Sequence, residues 1–252
     1  MKTKKEIIEL RKHLMDNIRM EIDFSQTDQN LGIPMPAIQK EVSEDDLVIA
    51  LPPWEEVIKP QGSLDELIRK RRSYRKFSKK ALIAEELSYL LWATQGIRRF
   101  HPKRTLRSAP SAGNRHSLET YLALTKPLAS RDGTVLFKRG LWRYLPIEHA
   151  LVYLSSPKAL EEKITEAALD QAFVAKAPIV FFWSTIPYRT EWRYNKASQK
   201  VIALDAGHVC QNLYLASESI ACGTCAIAAY NQAEADALFD LSNPDEFILY
   251  MA

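Results

Sequence analysis

The glycines of this chain are few and widely spaced, which limits the folds and cofactor sites open to it. There are eight glycines in 252 residues, and the closest pair, Gly133 and Gly140, is seven residues apart. The glycine-rich turns that bind dinucleotides or phosphates need glycines two to five residues apart, and the nucleophile turn of α/β-hydrolases needs a serine two residues after a glycine. None of these patterns occurs. Any nucleotide-like cofactor must therefore be held without a glycine loop.

The chain has the composition of a globular protein, with 46% hydrophobic and 26% charged residues. Its longest uncharged stretch, 219–233, is shorter than the roughly 20 apolar residues of a membrane-spanning helix. Acidic residues occur in the first ten positions, where a secretion signal would need an apolar run. Three cysteines are too few for a disulfide framework in a chain of this length. We therefore expect a cytoplasmic protein without a membrane partner.

Positive charge is concentrated in two segments, although the net charge is only +3. Residues 69–80 contain eight lysines and arginines, residues 98–107 contain five more, and neither segment contains an acid. Such a cluster can be a solvated face, a nucleic-acid surface or a compact site for an anion. Only Tyr74 and Phe77 supply aromatic rings to the first segment, which disfavours a nucleic-acid groove.

Predicted helices and strands alternate without a regular β-α-β repeat, which indicates an α+β fold. Apolar spacing and capping signals predict helices over residues 7–22, from a capping box at 63–66, and over 85–95, 157–172, 198–220 and 233–239. Strands are predicted over residues 118–124, 141–144, 150–154, 179–185, 225–229 and 246–251. Residues 28–60, with five prolines, are predicted to form an irregular arm, and residues 97–117 a loop.

Two segments carry residues suited to a flat, anionic ligand. Arg71, Ser73 and Arg75 share one face of an extended backbone, where two guanidinium groups and a hydroxyl suit a phosphate or a ribityl chain. Residues 109–117 are mostly small, so that their backbone can approach a flat ligand, and Asn114 offers both a donor and an acceptor. A plain surface turn is the alternative interpretation of residues 109–117.

Cys222 and Cys225 form a C-x-x-C motif that would suit a redox or zinc site with His208 and Cys210. His208 and Cys210 are two residues apart on a predicted helix, so their side chains point to different sides. Cys210 also stands where the zinc-deaminase pattern needs glutamate. We therefore favour structural thiols and expect no metal.

Several motifs, in this order and spacing, resemble the FMN-dependent nitroreductase superfamily and, within it, the SagB/ThcOx-type dehydrogenases. They are Arg-Arg-Ser-Tyr-Arg (71–75), Leu-Ser-Tyr-Leu-Leu-Trp-Ala-Thr-Gln-Gly (87–96), Pro-Ser-Ala-Gly-Asn-Arg-His (110–116) and Gly-Thr-Cys (223–225), supported by residues 27–34, 119–121 and 205–215. The resemblance covers roughly residues 26–252. It implies a nitroreductase-like fold, in which helices flank a central sheet that is mixed but mainly antiparallel, and a homodimer with FMN at its interface.

The same resemblance implies which residues hold the cofactor. Residues 61–252 would form the FMN-binding domain, after an N-terminal helix and wrapping arm in residues 1–60. The FMN phosphate and ribityl chain would contact Arg71, Arg72, Ser73 and Arg75. The isoalloxazine ring would be lined by Pro110, Ser111, Ala112, Gly113 and Asn114, with Asn114 at its polar edge. Gly223 and Thr224 would lie near the other ring face or N5.

The function implied is ping-pong hydride transfer from NADH or NADPH to a small electron-poor acceptor such as a nitroaromatic or a quinone. The flavin N5 carries the hydride, so no catalytic side chain is required. One alternative is a flavin dehydrogenase or oxidase that acts on a peptide or natural-product intermediate. The other, of a different class, is a basic nucleic-acid-binding protein. We expect a small-molecule substrate and no nucleic acid.

Three departures from the family pattern qualify the resemblance. Ala221 and Ala228 stand where relatives often have glycine, which would narrow the space over the flavin. The sequence ends at Ala252, where relatives usually continue into a tail with a basic residue near the phosphate. No Lys-Tyr dipeptide occurs, whereas azoline-oxidising members often use such a pair, and this weakens a peptide-azole role.

Overall fold

The computed structural model describes residues 2–78, 80–101 and 104–252. Its α-helices are α1 Lys2–Leu10, α2 Leu64–Lys70, α3 Ala84–Gln95, α4 Leu160–Ala167, α5 Tyr188–Tyr194, α6 Ser198–Ser219 and α7 Gln232–Leu238. Its strands are β1 Val48–Ala50, β2 Ile97–His101, β3 Arg104–Arg107, β4 Leu118–Leu124, β5 Leu128–Ala129, β6 Val135–Phe137, β7 Gly140–Leu145, β8 Ala150–Ser155, β9 Ile179–Thr185 and β10 Phe247–Met251. No helix in these ranges is both long enough and apolar enough to cross a membrane.

Six strands form the central sheet in the order β1-β8-β7-β4-β9-β10, and each of these pairings is antiparallel. Every residue of β4 and β9 is buried because helices cover both faces. Helices α3 and α6 pack on the face that carries Trp142 and Trp183, and α4 and α7 pack on the face that carries Tyr121 and Phe182. The predicted α+β fold and mainly antiparallel sheet are confirmed.

Helix α6 is the longest helix described and supports both candidate segments. Its buried residues include Ala206, Val209 and Leu213, which recur at helical spacing and belong with α3 to one apolar core. The predicted capping box of α2 is present, since the Ser63 backbone N–H donates to the Glu66 carboxylate at 3.1 Å. The helix predicted over 198–220 and the capping box predicted at 63–66 are therefore confirmed.

The prediction that residues 97–117 form a loop is wrong. Strands β2 and β3 pair as an antiparallel hairpin, and a 3₁₀ turn follows at Ala112–Asn114. In β3 the buried residues are Thr105 and Arg107, whereas Leu106 is exposed. Buried and exposed residues alternate in β3 as in any strand, but the buried residues are polar. The hydropathy pattern therefore did not indicate a strand here.

Other differences occur where the apolar face is not buried or is short. The prediction of one helix over residues 7–22 is wrong, because α1 ends at Leu10 and short 3₁₀ turns follow at Arg11–His13 and Asn17–Glu21. Most apolar residues of that region, including Leu10 and Leu14, remain exposed. Residues 225–229 form only an isolated pairing of Ile227 with Met251 rather than a strand. The helix predicted over 157–172 is confined to α4, and α5, β5 and β6 were not predicted.

Candidate functional site

The basic segment and the Gly-Thr-Cys motif lie side by side, although 150 positions separate them in the sequence. Ser73 and Thr224 form a parallel bridge, and the Tyr74 backbone N–H donates to the Thr224 carbonyl at 3.0 Å. Residues 71–75 are therefore extended, as predicted, and Ser73 and Arg75 are exposed. The structure thus brings Arg71, Arg72, Ser73, Arg75, Gly223 and Thr224 into one cluster.

The C-terminal half of α6 holds this cluster in place. The Tyr214 hydroxyl accepts a hydrogen bond from the Ala226 N–H at 2.8 Å and lies 2.9 Å from the Ser73 hydroxyl. One turn later the Thr224 hydroxyl donates to Ser217 Oγ at 2.7 Å, and the Tyr74 hydroxyl donates to Glu218 at 3.4 Å. Spacing of three and four residues places these side chains on one face of the helix.

Two guanidinium groups of the cluster lie over aromatic rings. Arg71 lies over the Tyr214 ring at 5.1 Å, and Arg72 lies over the Tyr74 ring at 5.9 Å. In the described part of the chain, no carboxylate forms an ion pair with Arg71, Arg72 or Arg75. Three unpaired cations beside one hydroxyl form a donor set suited to a phosphate.

Gly223 makes room for a neighbouring side chain. A Cβ at this position would lie 2.6 Å from the Tyr74 ring, closer than any carbon contact allows. The close approach of Tyr74 therefore requires a glycine. A cavity of about 340 Å³ opens beside these two residues, and apolar side chains such as Phe181 and Leu213 line it together with Lys76.

The second candidate segment bends tightly around a second point on α6. Gly113 and Asn114 both have left-handed backbones, with φ of +57° and +59°. The Ala112 N–H donates to both carboxylate oxygens of Asp205, at 3.1 and 3.2 Å. A Cβ on Gly113 would lie 2.5 Å from the Tyr194 hydroxyl oxygen, at the end of a side chain that can shift, so the left-handed backbone is the main reason for a glycine here. The segment, which includes Pro110 and Ser111, is an anchored turn.

His116 fixes the orientation of the Asn114 amide. Its Nε2 lies 3.0 Å from the Thr105 carbonyl and 2.7 Å from Asn114 Oδ1. Burial, assisted by the positive charge of Arg107, lowers the pKa of His116 to about 3, so the imidazole is neutral at physiological pH. A carbonyl can only accept, so Nε2 carries the proton and the amide oxygen of Asn114 must face it. The amide nitrogen is then a buried donor without a partner.

The two segments contact opposite sides of α6. Asp205 holds the 110–114 turn and Tyr214 holds the basic cluster, nine residues apart on the same helix. Nine residues correspond to about 13 Å along the axis and two and a half turns. The predicted site residues therefore form two groups within one chain rather than one.

The cysteines behave as structural thiols. Cys210, Cys222 and Cys225 are unpaired in the structure. Burial raises the pKa of Cys210 to about 12 and that of Cys222 to about 11, so both are protonated at neutral pH. Across residues 2–78, 80–101 and 104–252, no group of three or more His, Cys, Asp or Glu side chains is placed to hold a metal ion.

Four residues that organise the clusters were given no site role by the sequence-based predictions, although three of them lie in the family motifs: Asp205, Tyr214, Ser217 and His116. Tyr214, Ser217 and Glu218 form a polar stripe on a helix that is otherwise apolar toward the core. That stripe is the signal from which part of the set could have been found.

Known proteins resemble this chain over most of its length. The profile of the Nitroreductase family matches residues 68–252. A protein of Methanocaldococcus jannaschii that is provisionally named a nitroreductase is 32% identical over 186 residues, which are 74% of this chain and 86% of that protein. A Ralstonia eutropha crystal structure, provisionally named likewise, is 26% identical, with a TM-score of 0.65 over 86% of this chain and 91% of that one.

An Anabaena variabilis structure has the same fold, with a TM-score of 0.63 at 20% identity over 86% of this chain, and this chain spans 40% of its length. The profile match covers well over half of the chain, and the sheet and helices agree with those of the solved relatives. The chain therefore belongs to the nitroreductase family and is an oxidoreductase.

Proposed function

We propose that this chain is an FMN-dependent oxidoreductase that transfers hydride from NADH or NADPH to a small, electron-poor organic acceptor. The observation that carries the proposal is the contact between residues 71–75 and 223–225, through the Ser73–Thr224 bridge. This contact joins the arginines of residues 71–75 to the bend at residues 223–225, beside which a cavity opens. The same arrangement would be unnecessary in a charged face that only solvates the protein.

The basic cluster fits the phosphate of FMN. Arg71 and Arg75 supply charged donors, Ser73 supplies a hydroxyl, and no described carboxylate competes for them. Arg72 belongs to the same segment and lies over Tyr74. Phosphate binding by arginine forks replaces the glycine loop that the sequence lacks.

The 110–114 turn fits the polar edge of the flavin ring. The Asn114 amide nitrogen is buried without an acceptor, which costs about 1–3 kcal/mol unless a ligand supplies one. Carbonyl oxygens and ring nitrogens at the edge of isoalloxazine are acceptors of this kind. Gly223 and Thr224 would lie against the other side of the ring.

A homodimer would unite the two groups around one cofactor. Within one chain they contact opposite sides of α6, so the 110–114 turn of a second copy is needed to complete each basic cluster. The exposed side of α6 suits such packing. Leu204 is 53% exposed, and a side chain at Gly207 would meet open space. Small and apolar residues on an exposed helix face favour close helix approach.

Bound FMN would supply the hydride-accepting and hydride-donating centre of the reaction. The chain's own residues would bind and orient it: the arginines fix the phosphate, Asn114 donates to the ring edge, and the 223–225 bend excludes water from one face. A nicotinamide and then a nitroaromatic or quinone would use the open face in turn. No acidic or basic side chain needs to move a proton in this scheme.

Flavin content tests the proposal directly. The purified full-length protein should bind FMN, and the bound flavin should lose its visible absorbance when NADH or NADPH is added without oxygen. Addition of a quinone or a nitroaromatic should restore the absorbance. A protein that takes up no FMN would overturn the proposal. Oxygen-dependent turnover of a peptide, without reaction with nicotinamide, would instead favour the SagB/ThcOx-like alternative.

A further inference from the structure

Tyr214 on α6 is placed to prepare the basic cluster for an anion. Its side chain makes three contacts with that cluster: the Ala226 N–H at 2.8 Å, the Ser73 hydroxyl at 2.9 Å and the Arg71 guanidinium at 5.1 Å from the ring centre. We propose that Tyr214 is a positioning residue that orients the Ser73 hydroxyl and the Arg71 guanidinium toward a phosphate monoester. This inference rests on the proposed function.

The direction of the hydrogen bonds follows from the number of protons available. The Ala226 N–H can only donate, so it occupies one lone pair of the Tyr214 oxygen. Ser73 has a single hydroxyl hydrogen. When that hydrogen is donated to an anion, the Ser73 oxygen is left as an acceptor, and the Tyr214 hydroxyl, 2.9 Å away, is placed to donate to it. A series of hydrogen bonds then runs from the Ala226 N–H through the Tyr214 and Ser73 hydroxyls to the phosphate oxygen.

Such a series of hydrogen bonds strengthens the donor at its end, the Ser73 hydroxyl. Each hydrogen bond polarises the next, so a hydroxyl that itself accepts a hydrogen bond is a better donor to a phosphate oxygen. The series begins at the backbone N–H of Ala226. The segment 224–226 that contains this N–H is fixed by the Thr224–Ser217 hydrogen bond at 2.7 Å. Ser73 is therefore held by groups that do not move independently of α6.

The ring of Tyr214 has a separate effect on Arg71. A guanidinium at 5.1 Å from an aromatic ring is within the range of a cation–π contact, which limits the rotamers of a long side chain. Among the described residues, no carboxylate forms an ion pair that would hold Arg71. The ring thus restrains Arg71 without neutralising it, and its charge stays available to an anion.

Because both contacts serve the phosphate, the effect of Tyr214 should depend on the presence of that group. Riboflavin has the ring and ribityl chain of FMN but no phosphate. Tyr214→Phe keeps the ring and removes the hydroxyl, and it should weaken FMN about tenfold, as expected for one hydrogen bond to a charged group. Riboflavin affinity should change less than about twofold. Tyr214→Leu removes the ring too, and it should weaken FMN further.

The experiment measures dissociation constants for FMN and for riboflavin by quenching of flavin fluorescence, on the full-length protein and its variants. Tyr230→Phe is the matched control, since the Tyr230 hydroxyl donates to the Ile248 carbonyl, away from the cluster. It should leave the ratio of the two constants unchanged. Ser73→Ala should raise the ratio of the FMN dissociation constant to the riboflavin dissociation constant, as Tyr214→Phe does. The double variant should show no further loss of FMN affinity.

The outcomes separate this inference from the proposed function. If the unmodified protein binds neither flavin, the proposed function fails and the inference fails with it. If it binds FMN but Tyr214→Phe lowers both affinities equally, Tyr214 is a structural residue and only the inference is overturned. Additive losses in the Ser73→Ala, Tyr214→Phe double variant would also overturn it, because independent residues do not form a relay.

Discussion

Ala221 has a left-handed backbone with φ of +57°, in the turn that leads from α6 to Gly223. This conformation costs an L-residue with a Cβ about 1–2 kcal/mol, whereas glycine adopts it freely. A glycine at this position in relatives is thus explained by the backbone of the turn. The expectation that Ala221 narrows the space over a flavin stays a prediction, because the conformation accounts for the family preference without it.

We expect Ala221→Gly to raise the free energy of unfolding by about 1 kcal/mol, since the relief of strain exceeds the added flexibility of the unfolded chain. The thermal midpoint should rise by about 2–4 °C, measured by circular dichroism. Ala228→Gly is the matched control. Ala228 has no left-handed backbone, and the same change should lower the midpoint. A lower midpoint for Ala221→Gly would contradict the strain argument.

At this scale, residue types could be predicted from the sequence but their partners could not. The arginines, Ser73 and the two glycines were indicated by spacing and resemblance. The close approach of Tyr74 that requires Gly223 depends on a contact across 149 positions. Tyr214 counts as apolar in a helical pattern, so only the polar residues Ser217 and Glu218 on the same face could have indicated a role for its hydroxyl.

Among the elements, those with a continuous apolar pattern were predictable and those with buried polar residues were not. The runs 118–124 and 179–185 became β4 and β9, buried at every position. Helix α5 was missed because its buried residues include Arg189 and Thr190, which pattern reading assigns to a surface. Strand β3, with Arg107 buried, was missed for the same reason. The division of the chain near residue 60 stays a prediction.

The buried arginine of α5 has a partner that ties the helix to the central sheet. Arg189 and Glu119 form an ion pair at 2.6 Å, and their side chains are only 4% and 3% exposed. Glu119→Gln would leave the guanidinium buried without its counter-charge. We expect the free energy of unfolding to fall by about 3 kcal/mol, measured by urea denaturation.

Glu161→Gln, in helix α4, provides the comparison with a partly exposed ion pair. Glu161 pairs with Arg139, but both side chains are partly exposed, so the loss should stay below about 1 kcal/mol. Equal losses for the two variants would show that burial does not determine the strength of the pair.

For the molecule as a whole, the exposed side of α6 is the surface on which the proposed dimer depends. Leu204→Asp places a charge on that side, where burial against a second copy would desolvate it. We expect the unmodified protein to have twice the mass of one chain by light scattering, and Leu204→Asp to shift it toward the monomer and to weaken FMN binding.

Leu47→Asp is the control for this change, since Leu47 is 49% exposed against 53% for Leu204 but precedes the edge strand β1. It should leave the mass and the FMN affinity unchanged. A protein that binds FMN as a monomer would exclude a site shared between two chains.

The placement of the two groups on opposite sides of α6 has a genetic consequence. In a two-fold dimer, each chain contributes residues 71–75 to one site and residues 110–114 to the other. In the proposed dimer, a chain with a damaged basic cluster and a chain with a damaged 110–114 turn would each be inactive alone. Mixed dimers of the two contain one site with both halves intact, so random pairing restores about a quarter of all sites. Two defective alleles, expressed together, would complement each other.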